Sequence, residues 1–219
     1  MKAAIAALAS LPSVALACSL NVGFQEQHPF HFDVYHGEFY ATTGGVDVDI
    51  LRAVGGRGNC DIEIRNLEGQ APFDSPAQAF IAESDTFDYR HVVLYELPYQ
   101  LVSIAPLTEP NEALTLGVLS SDDEFEWTNQ FASTVTLEPD SWQQALKDDK
   151  VDAVLWHPFD AAIDYNSPLQ RQVVEQLPLR GMSLFYADEV SESVRKTIAD
   201  TLVIATDNVE NALNRYQVK

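Results

Sequence analysis

Apolar residues in this chain fall into short runs that alternate with segments of helical spacing, the pattern of an α/β protein. Leu20 to Phe24 (LNVGF) reads as a buried strand. A loop rich in aromatics and histidines follows, with Pro29-Phe30 near its middle, then a Gly44-Gly45 turn and a helix from about Val46. Asp61 to Arg65 reads as the next strand, so the opening is a β-α-β unit whose two strands run parallel and often adjacent. In a parallel sheet the loop leaving the carboxyl end of a strand faces the ligand crevice. Phe24 to Phe32 is therefore expected to form part of a binding wall.

Glu68 to Tyr89 is loop-like around a short apolar patch, Ala77 to Ala82, and leads into two apolar stretches, His91 to Tyr95 and Tyr99 to Leu107. Pro106 and Pro110 bracket a polar break before a fresh strand, Leu114 to Leu119, which suggests a crossing into a second lobe. There the same grammar repeats. Ser121-Asp122-Asp123-Glu124 fits a capping box before Phe125 to Phe131, and Val135 to Leu137 is a short strand. Ser141 with Gln144 caps a helix over Trp142 to Asp148. Val151 to Trp156 is a nearly all-apolar strand ending at His157-Pro158, followed by a short helix over Phe159 to Tyr165. Val173 to Leu177 makes one more strand, Gly181 to Tyr186 returns to the first lobe, and Ser191 to Tyr216 is spaced for one or two packed helices. The expected architecture is two lobes, each a mostly parallel sheet flanked by helices. Residues 18–104 with 182–219 form lobe 1 and residues 105–181 form lobe 2, joined by hinge crossings near Leu101 to Pro106 and Arg180 to Leu184.

The first 17 residues change the picture. Lys2, an apolar run and Ala15-Leu16-Ala17 make a short charged start, a hydrophobic segment and a small-residue cleavage site, so residues 1–17 are expected to be a secretory signal peptide. The mature protein is then periplasmic. Two cysteines exist, Cys18 and Cys60, each just before one of the first two parallel strands and so at the same sheet edge; in an oxidising compartment a disulfide is expected, with lipidation of Cys18 as the alternative. The net charge of -20, from 13 basic and 33 acidic residues, excludes binding of nucleic acid through a broad basic face. It fits a solvated surface, or long-range attraction of a cationic ligand.

Several motifs now resemble one family, the periplasmic solute-binding proteins of the amino-acid-binding type (family 3). Pro29-Phe30-His31-Phe32 resembles its P-F-x-[FY] ligand loop, and Gly45-Val46-Asp47-Val48-Asp49 its G-[FY]-D-[VI]-D helix start. Arg90 with Leu97-Pro98-Tyr99 is similar to the T-x-x-R segment and S-x-P-Y strand entrance, and Val151-Asp152-Ala153-Val154 to the G-x-[VA]-D-A-V strand. The resemblance implies a type II periplasmic-binding fold whose two α/β lobes close on a solute and deliver it to an ABC importer. Two departures concern the ligand: His157 stands where family members that hold a free amino acid commonly place a carboxylate, and Ser120-Ser121 replaces a G-T pair.

The candidate ligand contacts are Arg90, Phe30, Phe24, Tyr99, Ser120, Ser121 and His157. A guanidinium forks onto a carboxylate with two hydrogen bonds, and the resemblance gives Arg90 that role, although Asp85, Asp88 or Glu96 could instead pair with it. Phe24, Phe30 and Tyr99 could supply walls for a small organic solute or serve as core. Ser120 and Ser121 precede a helix amino terminus, which attracts anions, but Asp122, Asp123 and Glu124 already compensate it. His157 could bond a ligand or turn toward Asp160. His28, His31 and His36 match no tight metal motif, so neither metal nor cofactor is expected. The expected function is capture, by a monomer, of a small polar solute that is amino-acid-like or carries a carboxylate. The alternatives are an accessory or sensory protein on the same scaffold, or a dehydratase-like enzyme using Glu68, Glu96 or His157.

Overall fold

The computed structural model describes residues 18–36, 40–72, 76–107, 112–119, 125–161, 163 and 168–218. Residues 1–17, where the signal peptide is expected, lie outside them, as do Ser120 and Ser121. Among the described residues no helix is long and apolar enough to cross a membrane.

Strand β1 (Cys18–Phe24) buries Leu20, Val22 and Phe24 on one face, and this alternation fixes what it packs against. That face is covered by helix α1 (Val46–Gly58), through Val46, Ile50, Leu51 and Val54, and by the last two helices, α3 (Glu192–Ile204) and α4 (Thr206–Arg215). Between β1 and α1 the chain makes a hairpin, β2 (Phe32–His36) and β3 (Tyr40–Gly44), not anticipated from the aromatic run. Strand β4 (Cys60–Asn66) then pairs parallel with β1 in a register that sets Cys18 opposite Cys60, and these two form a disulfide. β5 (Ala79–Glu83), formed from the short apolar patch, joins β1 on its other side. The first sheet is completed by β6 (His91–Leu97) and β12 (Arg180–Tyr186), in the order β4-β1-β5-β12-β6, with β12 antiparallel to both neighbours. Its opposite face carries a smaller cluster of Leu67, Ala77, Phe80 and Phe87.

The second sheet holds β7 (Gln100–Ser103), β8 (Thr115–Val118), β9 (Ser133–Thr136), β10 (Ala153–Trp156) and β11 (Gln170–Val173), in the order β11-β7-β10-β8-β9. Here β8, β9 and β10 are parallel, β7 runs antiparallel to β10, and β11 pairs antiparallel with β7. One face packs Trp142 and Leu146 of helix α2 (Trp142–Lys147) on Val154 and Trp156. The other buries Tyr99, Leu101, Leu116, Phe131 and Leu155.

Both lobe boundaries move from their expected positions. Gln100–Ser103 pairs antiparallel with β10 and so belongs to the second lobe, which puts the first crossing at Pro98-Tyr99. The second runs from Val174 to Leu179, between β11 and β12. A continuous apolar run signals burial but not the sheet that does the burying, which is why each boundary was misplaced. The expected helix over Phe159 to Tyr165 begins instead as a turn, with Asp160 N–H donating to the His157 carbonyl. Ser141 Oγ donates to the Glu138 carbonyl at 3.3 Å rather than capping α2, and Glu126–Gln130 is a short 3₁₀ helix.

Candidate functional site

The loop after β1 is held from both ends. His31 and Phe30 N–H groups donate to the Gln27 carbonyl, while Val46 and Asp47 N–H at the start of α1 donate to the carbonyls of Pro29 and Phe30 at 3.2 and 2.9 Å. Gly45, at φ 116°, permits this clamp, since a Cβ there would run into the Phe30 backbone. Asp47 is fully buried in the first turn of α1, where the helix dipole favours a carboxylate. Its two oxygens are engaged separately: Oδ2 by His31 Nδ1 at 2.6 Å and Oδ1 by the Tyr95 hydroxyl at 2.7 Å. Burial first, then the charge of Asp47, raises the Tyr95 pKa well above its usual range, so the hydroxyl stays a donor.

This loop and the carboxyl end of β5 frame a depression of about 370 Å³, walled by Glu26, Gln27, His31, Glu83 and Thr86 over a floor that includes Phe80. On the second lobe a hollow of about 570 Å³ lies beside α2, lined by Asp140, Trp142, Lys147 and Asp160 among others.

Arg180 stands between the two. Its Nε and Nη2 donate to Glu83 Oε2 at 3.2 and 2.6 Å, and its Nη1 donates to Asp160 Oδ1 at 2.5 Å. The guanidinium also lies 5.8 Å from the Tyr99 ring and 5.7 Å from Phe159. Burial would lower its pKa, but the charges of Asp160 and Glu83 outweigh burial and raise it.

Phe159, from the turn behind β10, inserts into the core of the first lobe, edge-on to Phe30 at 5.0 Å. Gln27 Nε2 donates to its carbonyl at 3.1 Å. Beside it His157 is fully buried; Nε2 donates to the Leu97 carbonyl at 3.1 Å, and Nδ1 accepts from Phe159 N–H at 3.2 Å. Burial pushes its pKa down to about 3; the Leu97 carbonyl opposes this and the Arg180 charge adds to it. The residue is a neutral peg between the first crossing and the turn.

The residues singled out from the sequence therefore separate. Phe24, Phe30, Tyr99 and His157 converge at the junction, but all four are buried in packing or backbone contacts, and both ring nitrogens of His157 are occupied. Arg90 does not reach the crevice. It precedes His91, which pairs with Phe185, whereas the crevice end of β6 is Leu97, paired with Arg180. Seven residues of strand put Arg90 about 20 Å away. It is exposed there, with Glu192 of α3 in its electrostatic reach. Glu96 and Glu68 are exposed, and Glu68 lines a separate groove with Arg65 and Gln70. Among the described residues no three His, Cys, Asp or Glu side chains gather to hold a metal ion. Sequence reading missed Arg180, Glu83, Asp160 and Phe159. The one available signal was a charged Arg180 opening an otherwise apolar strand.

No protein-family model matches the chain, and no curated protein matches it in sequence. Solved structures do. The second substrate-binding domain of a proposed amino acid ABC transporter from Streptococcus pneumoniae superposes with a TM-score of 0.73 at 16% identity, over 90% of this chain and 99% of that one. The substrate binding domain 2 of Lactococcus lactis GlnP, in an open conformation, gives 0.67 at 15%, over 90% and 94%. The periplasmic VFT2 domain of Bordetella pertussis BvgS gives 0.54 at 13%, over 90% and 93%. The chain has the two-lobed α/β architecture of type II periplasmic binding proteins.

Proposed function

We propose that this protein is an exported, non-catalytic receptor that closes its two lobes over a small polar organic solute and presents it, as a monomer, to an ABC-transporter permease. The observation that carries the reading is the convergence at Arg180: a carboxylate from the wall of each lobe's depression meets one guanidinium beside both chain crossings. A solute seated between the depressions would favour the closed arrangement by its differential affinity for it. The likeness to substrate-binding domains of amino acid transporters supports the fold on which this depends. A thermal-shift screen of the mature chain against amino acids, dicarboxylates and amines tests it. At a hundredfold excess over Kd a true ligand should raise Tm by roughly 5–10 °C. A flat response across all three classes would remove the reading.

A second reading, an accessory or sensory role without transport, draws support from the brace of Phe159 and His157, which restrains lobe movement in addition to the two crossings. Uptake by vesicles carrying the cognate permease, with and without the protein, distinguishes the two.

A further inference from the structure

The first-lobe depression offers acceptors almost throughout. We propose that it recognises the protonated amine of a small organic cation that carries no carboxylate, an alkyl diamine being the simplest example. This rests on the capture reading above and names its solute class.

Four observations converge. Glu26 and Glu83 contribute carboxylates to the wall, and the described lining contains neither Lys nor Arg. His31, only 2% exposed, lines the same space with its Nδ1 held by Asp47. The described residues supply no partner for its Nε2. The nearby guanidinium of Arg180 is committed to Glu83 and Asp160, and Arg90 lies at the other end of β6. Finally, Phe80, Ile81 and Phe87 give an apolar surface against which methylene groups can pack. An incoming carboxylate would meet the Glu26 charge without a free cation, whereas an ammonium, a donor only, can pair with Glu26 and reach the Glu83 oxygen that Arg180 leaves open. The net charge of -20 draws the same ligand in from a distance.

The test is isothermal titration at pH 8 and low ionic strength, where alkylamines and carboxylates are both charged. The probes are 1,4-diaminobutane, n-butylamine, succinate and alanine, with the wild-type chain and Glu26→Lys, a substitution at an exposed position. The diamine should bind at one site per chain and weaken with added salt. In Glu26→Lys its affinity should drop about tenfold while Tm is unchanged. Equal diamine affinity in the two proteins would overturn the site. Binding of succinate or alanine in preference to the amines would overturn the solute class and leave solute capture standing. Silence from all four probes, together with a flat thermal-shift screen, would remove both.

Discussion

Arg180 Nη1 donates to Asp160 Oδ1 at 2.5 Å, so the first residue of β12 grips the turn behind β10. The pair joins the return crossing of the chain to the opposite lobe, and Glu83 completes it from within the first sheet. Replacing Arg180 by Met would leave two partly buried carboxylates facing each other without a counter-charge. Loss of about 2–4 kcal/mol is expected in urea unfolding. Arg180→Lys should recover only part, because a point charge cannot fork to both acceptors. An unchanged midpoint in the Met variant would show that the pair holds nothing together.

His157 makes stability depend on pH in a calculable direction. Its folded pKa of about 3 lies below the ordinary value of 6.5, so the unfolded chain takes up a proton that the folded chain refuses. The stability it contributes is complete above pH 6.5 and is lost as pH falls toward 3. His157→Gln keeps an amide donor for the Leu97 carbonyl but cannot titrate. Between pH 7 and pH 5 the wild type should lose roughly 2 kcal/mol more than this variant. Parallel stability curves for the two proteins would contradict the assignment.

Phe159 belongs by sequence to the second lobe and by packing to the core of the first. Phe159→Ala should cost about 3–5 kcal/mol, as for other buried aromatics. It should also uncouple the lobes, seen in calorimetry as a broadened or split transition. A single sharp transition at the wild-type temperature would mean that the two crossings alone couple the lobes.

The Cys18–Cys60 disulfide closes a loop with a sequence separation of 42. Loop-closure entropy puts its contribution at about 4 kcal/mol. The double Ser variant should therefore unfold at lower urea with β1 and β4 still paired by Leu20, Val22 and Ile62 in the core. Equal midpoints with and without reductant would refute this.

Much of the architecture could be read directly from the chain. The alternation of Leu20, Val22 and Phe24, the glycine before Val46 and the spacing of Val194, Ile198 and Leu202 are local patterns, and local patterns are set by strand and helix periodicity. The same logic placed both cysteines at one sheet edge and gave two α/β lobes. What lay beyond the sequence was pairing at long range. Whether Gln100–Ser103 joins the first or second sheet depends on strands more than 50 residues away, and both assignments bury the same side chains. The candidate site suffered most from this. Arg90 carried the motif, yet the antiparallel register of β12 against β6 sends it to the far end of the sheet and brings Arg180 to the crevice. Periodicity tells a residue which face it occupies. Only the register between distant strands decides which charges meet, because that is where the chain trades entropy for contacts no local pattern encodes.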